Sequence, residues 1–136
     1  MGSSVRKNNN IIVLNRGDSF SFDLTLNDET AISERYTLQG DDVIYFGLMD
    51  QGQPFEFALV RKRYTVEDCD EAGNLAINLE PEDTLDLTPG VYYYAVKLKM
   101  DHDESFPDKD DPDKEVIKHV DRVITVINKT KFFLND

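Results

Sequence analysis

Apolar and polar residues alternate with a period of two through most of the chain from residue 18 onward. In 18–27 the apolar positions are Phe20, Phe22, Leu24 and Leu26, separated by Ser21, Asp23 and Thr25. Successive strand side chains point to opposite faces, so this pattern predicts a half-buried strand. Leu75, Ile77 and Leu79 repeat it, and so do Tyr92, Tyr94, Val96, Leu98 and Met100, with Lys97 and Lys99 on the opposite face. Residues 43–49, in contrast, are an unbroken apolar run, which suits a central strand covered on both faces. Segments 11–14, 57–64 and 117–127 complete about seven strands, and 131–134 adds a short last one.

Turn chemistry separates these runs at Arg16-Gly17-Asp18, Asp50-Gln51-Gly52-Gln53-Pro54, Glu71-Ala72-Gly73-Asn74 and Pro89-Gly90. One short helical turn is expected near 81–87, where Pro81 fits a first turn and Glu82 and Asp83 complement its dipole. The expected architecture is all-β, an immunoglobulin-like antiparallel β-sandwich. It forms a single domain over 11–136, with a flexible N-terminal arm at 1–10 and a long acidic loop at 101–115.

Composition narrows the function. The 136 residues include 27 Asp and Glu against 15 Lys and Arg, a net charge of −12. Such a balance opposes binding to phosphate backbones or anionic lipid, so neither nucleic acid nor membrane is expected as a partner. Cys69 is the single cysteine, which rules out an intrachain disulfide. The first ten residues lack the apolar segment of a signal peptide. No apolar run approaches the roughly 20 residues of a spanning helix.

The motifs that suggest chemistry read as structure. Arg16-Gly17-Asp18 matches an integrin-binding tripeptide but sits at a turn before a strand. Gly40-Asp41-Asp42 resembles a polymerase metal motif and is read as the loop leading into the strand at 43–49. Asn128-Lys129-Thr130 fits a glycosylation acceptor, idle without secretion. His102, at the start of the acidic loop, and His119, in a strand, have no nucleophile elbow nearby and are read as surface or strand-face residues. Cys69 stands between Asp68 and Asp70, whose charge opposes a thiolate. Hard oxygen ligands in 101–115 suit Ca²⁺, but Pro107 and Pro112 interrupt them and the spacing is not that of an EF-hand. No catalytic, cofactor-binding or metal-ligating residue is therefore assigned, and the protein is expected not to be an enzyme.

Several segments resemble a known family. Arg16-Gly17-Asp18-Ser19-Phe20-Ser21-Phe22 opens an early strand. Pro89-Gly90-Val91-Tyr92-Tyr93-Tyr94 turns a corner into alternating tyrosines. Asp121-Arg122-Val123-Ile124-Thr125-Val126-Ile127 closes the domain with Phe132-Phe133. In this order and spacing they resemble the N-terminal immunoglobulin-like domain of phage baseplate upper proteins and related small phage structural proteins.

The resemblance implies an adaptor in baseplate or tail assembly, located in the virion and in the host cytoplasm before assembly. Its partners would be other virion structural proteins and copies of itself, and it would use no cofactor. No fibre region follows Asp136, which points to a stand-alone adaptor. Capsid decoration or head-fibre anchoring would suit the same fold, and a calcium- or carbohydrate-binding surface module would use the acidic loops. A small hydrolase is the remaining class, and it lacks a triad. Contacts are expected at strand edges and at Phe55, Phe57, Tyr93, Phe132 and Phe133.

If the strands follow immunoglobulin order, loops 28–42, 66–72 and 101–115 emerge at one end. Those loops hold 17 acidic residues against Arg35, Lys109 and Lys114, a net −14 that leaves +2 for the remainder. One acidic pole on a near-neutral sandwich is the expectation.

Overall fold

The apolar run Val43–Met49 forms a strand inside the larger of two facing sheets. The computed structural model describes residues 4–5, 10–24, 26–27 and 35–136. Ten strands are described in chain order. They are β1 (Ser4–Val5), β2 (Ile12–Asn15), β3 (Phe20–Leu24), β4 (Leu26–Asn27), β5 (Arg35–Tyr36), β6 (Val43–Met49), β7 (Val60–Tyr64), β8 (Leu75–Leu79), β9 (Gly90–Pro107) and β10 (Glu115–Asn135), with a helical turn α1 (Pro81–Leu85) before β9. The large sheet has the order β1-β2-β10-β9-β6-β7, β3 pairs with β8, and β4 with β5. This is an all-β, immunoglobulin-like sandwich, with β3 and β8 facing the β10-β9-β6-β7 sheet.

Not every pairing is antiparallel. β2 runs parallel to β10, with Ile12 opposite Phe132 and Leu14 opposite Leu134. Much of the expected N-terminal arm at 1–10 lies outside the described residues, but Ser4 and Val5 pair antiparallel with Val13 and Ile12.

The alternating residues meet between the sheets. Leu24, Ile77 and Leu79 from the small sheet pack with Ile44, Phe46, Leu48, Tyr94, Val96, Leu98, Phe132 and Leu134 from the large one. The Phe22 and Tyr94 rings meet edge-on at 6.3 Å across the interface. The Tyr94 phenol, pushed up to about 12 by burial, donates its proton to the Asn10 carbonyl. Tyr92 donates to the Thr88 carbonyl at 2.5 Å and fixes the corner after Pro89-Gly90. The alternating tyrosines thus face inward, with their hydroxyls on backbone.

The helical turn begins with Pro81 in its first turn, is capped reciprocally by Glu80 and Asp83, and ends at Asp86 ahead of Pro89-Gly90. Its Thr84 is fully buried and accepts the Gly17 amide at 3.0 Å, tying the Arg16-Gly17-Asp18 turn to the β8–β9 corner. Gly17 takes φ +81°, which favours glycine. Arg16 pairs with Asp136 at 2.8 Å. The tripeptide is a structural turn.

Two expected boundaries move. Strand β7 begins only at Val60, because Pro54 leads into a single 3-10 turn, Phe55–Phe57, that crosses the outer face of the sheet. There Phe55 packs over Met49, Ala58 and Ala95. A Cβ on Gly47 would lie 2.7 Å from the Phe55 ring, so this close crossing requires glycine. β6 is accordingly covered on both faces. The second change is larger. The expected loop 101–115 is strand up to Pro107 and again from Glu115, leaving a tip of only 108–114. β10 also runs unbroken through 127–131, where the sequence suggested two strands, by absorbing register shifts at Thr125/Ile127 and Ile127/Thr130.

Candidate interaction surfaces

The β9–β10 hairpin outruns the sandwich. Its register stays unbroken from Asp101 opposite Asp121 out to Pro107 opposite Glu115. Between Asp103 and His119 no residue is buried. This segment is a two-stranded arm, about 16 Å long at roughly 3.3 Å per residue before its turn. Phe106, Val116 and Ile117 lie exposed on it, and Ile117 keeps 70% of its surface. Lys118 reaches over the Phe106 ring at 5.8 Å. Phe106 and Lys118 also line a depression of about 360 Å³ with Tyr36, Met100 and Val120, where the inner face continues past the small sheet.

A buried polar network fixes the root of this arm. The inner-face alternation Leu98, Met100 extends one further step to His102, which is buried against a fully buried Asp42. His102 Nδ1 lies 2.7 Å from Asp42 Oδ1, and Nε2 lies 2.9 Å from Glu104 Oε1. Tyr36 donates its hydroxyl to Asp42 Oδ2, and the amides of Gln39 and Asp101 donate to the same carboxylate at 3.0 and 2.7 Å. Burial opposes charge on Asp42, but the bonds from Tyr36, His102 and the two amides hold its carboxyl below the usual range. Burial likewise opposes the imidazolium, and Asp42 and Glu104 outweigh it and raise His102. The network locks the segment before β6 to β9 at the point where the arm leaves.

His102 is therefore no surface residue, and its structural role is one that the local sequence concealed. His119 is exposed and bridges Asp103 at 2.8 Å and Asp101 at 2.9 Å. The Asp103 hydrogen bond is the main cause of its raised pKa. Each histidine thus sits between two carboxylates, and the hydroxyl beside His102 already serves Asp42. Cys69 is part-buried, with its thiol toward the Thr65 carbonyl at 3.8 Å. Among the described residues no group of three or more His, Cys, Asp or Glu could hold a metal ion. No helix among them is long and apolar enough to cross a membrane.

Charge is sorted along the fold. Val43 opposite Lys99 and Ile44 opposite Tyr64 put the start of β6, the end of β7 and the root of the arm at one end. The described part of 28–42, loop 66–72 and the arm therefore share that end, as the expected acidic pole requires. Residues 28–34 lie outside the described residues. Segments 43–49, 60–64, 90–100 and 122–134 contain no Asp or Glu, yet hold eight of the 15 Lys and Arg. Cross-strand pairs Tyr45 with Arg63 and Lys97, Val43 with Lys99, and Gly47 with Arg61 place four of these cations on the outer face. Lys97 lies 4.9 Å from the Phe55 ring centroid, and Arg61 bonds the carbonyls of Ala58 and Glu56. Among the described residues none of the four pairs with a carboxylate.

Of the aromatic residues expected at contacts, Phe57 is 66% exposed, while Phe55, Tyr93 and Phe133 are half-buried. Phe132 is a correction: it is fully buried, its ring 6.4 Å from that of Tyr94, because it stands between the inward-facing Ile12 of β2 and Tyr92 of β9. Comparison with protein-family models, with curated proteins and with solved structures found no match.

Proposed function

We propose that the protein is a non-enzymatic structural protein of a phage or prophage virion, an adaptor in baseplate or tail assembly that works through protein–protein contacts. The observation that carries this reading is the β9–β10 arm. Isolated two-stranded hairpins are marginally stable in water, so an arm without a single buried residue gains its burial against a partner. Phe106, Val116 and Ile117 supply the apolar part of that contact, and the β10 edge opposite β9, unpaired in the arm among the described residues, supplies backbone groups. The phage setting is supported by the resemblance carried by the segments at 16–22, 89–94 and 121–133, which form the β2–β3 turn, the tyrosine corner and β10 of this sandwich.

The test is mass spectrometry of gradient-purified particles from an induced source culture, with heads and tails separated. The protein is expected in the tail fraction in a fixed ratio to other tail proteins. Its presence in heads alone would assign capsid decoration or head-fibre anchoring instead, and its absence from particles would overturn the virion reading. A calcium-binding module predicts a rise in melting temperature with millimolar Ca²⁺; the adaptor predicts none.

A further inference from the structure

We propose that copies of this chain assemble head to tail, the acidic arm of one copy lying on the basic outer face of the next. The inference rests on the structural-protein reading and names one partner for it, a second copy.

The two surfaces match in charge. The arm and its root, 101–115, hold eight Asp and Glu against Lys109 and Lys114. The receiving face presents Arg61, Arg63, Lys97 and Lys99 around Tyr45 on the segments 43–49, 60–64 and 90–100, which contain no Asp or Glu. They also match in size. Cations two residues apart along a strand are separated by roughly 7 Å, and β7 and β9 stand about 10 Å apart on either side of β6. That area accepts a two-stranded ribbon, whose strands lie about 5 Å apart. Arg63 and Lys99 line one wall of a depression of about 510 Å³, and Asp41, Glu67 and Asp101 close it toward the arm's own root. The incoming arm therefore lies toward Arg61 and Lys97, away from those acids.

The arm cannot reach the face of its own molecule. Its register with the sheet is unbroken from Lys99 opposite Val123 to Pro107 opposite Glu115, so it continues the sheet outward. The contact is consequently intermolecular and heterologous: the donor surface and the acceptor surface are different patches. Such contacts repeat from copy to copy and close into rings or run on as filaments. Attraction between exposed charges is screened over about 8 Å at physiological ionic strength, which makes the assembly sensitive to salt.

Sedimentation velocity of the full chain at 50 and 500 mM NaCl tests this. The low-salt species is expected at a multiple of 15.6 kDa, with at least about tenfold weaker association at high salt. R61E/K97E and D110K/D111K/D113K should each sediment as monomers at low salt while keeping the β-sheet circular dichroism and the cooperative melt of the wild type. An equimolar mixture of the two should assemble again, because each supplies the surface complementary to the other's altered one. A wild-type monomer at hundreds of micromolar in 50 mM NaCl, variants that assemble like the wild type, or a mixture that stays monomeric would overturn the proposal. A monomer that is nonetheless found in tail particles removes self-assembly and leaves the adaptor reading in place. An assembling protein absent from particles does the reverse.

Discussion

Asp42 and His102 are the residues on which the acidic end depends. A buried ion pair contributes little compared with an apolar replacement of both groups, but removing one partner strands the other. Asp42→Ala leaves Tyr36, His102 and two backbone amides without their shared acceptor, and about 3 kcal/mol of destabilisation is expected in urea denaturation. The pH dependence has a definite sign. The folded-state pKa of His102 is raised, so its contribution is complete below about pH 6.5 and is lost as pH rises through the native value. Asp42 is lowered, so its contribution is complete above about pH 4 and is lost as pH falls through the native value. Stability should therefore peak in mildly acidic solution and decline toward pH 8. In His102→Gln most of that decline should disappear. His119 also titrates upward, so His119→Ala is the comparison; it should retain the larger part of the slope. A decline unchanged in His102→Gln would refute the assignment.

Among the elements, the arm and the sandwich are expected to separate energetically. Replacing residues 105–117 by Asn-Gly joins Glu104 to Lys118, which already face each other, through a two-residue turn. Because none of the removed residues is buried, the unfolding free energy should change by less than about 1 kcal/mol. The 3-10 crossing over β6 predicts the opposite. Gly47→Ala forces a methyl into the Phe55 ring and should cost about 1–3 kcal/mol, and Phe55→Ala in the same chain should relieve part of it in a double-mutant cycle.

Legibility in the sequence follows the same division. Strand β8 and the first half of β9 were readable because one face of each meets a core and the other does not, and β6 because a strand covered on both faces is apolar throughout. The arm was not, because a ribbon solvated on both faces has no apolar alternation to show, and Asp103-Glu104-Ser105 reads as loop. The Asp42–His102 contact joins positions 60 residues apart, so no local spacing signals it. The one available clue was that His102 continues the inward phase of Leu98 and Met100. Phe132 escaped for a related reason: it keeps the inward phase of Ile124 and Val126, but the polar stretch Asn128-Lys129-Thr130-Lys131 between them hides the continuation of the strand.

At the scale of the molecule, the net charge of −12 averages a cation-bearing sheet and an acidic end. Like charges gathered at one end repel, and salt screens them. Glu67→Lys, at the rim of that end, is expected to stabilise the fold by a few tenths of a kcal/mol at low ionic strength and by less at 0.5 M NaCl, read by thermal melts. The parallel pairing of β2 with β10 has a mechanical consequence. The two strands run the same way, so the backbone leaves the pair at Ile12 on one end and at Asn135 on the other. Tension applied between these points pulls the strands past each other, loading all the cross-strand hydrogen bonds together instead of peeling them one at a time. The arm's hairpin, pulled from its two strands, would open pair by pair. The β2–β10 pair is thus built as a clamp, able to pass a load along its length while the arm stays compliant.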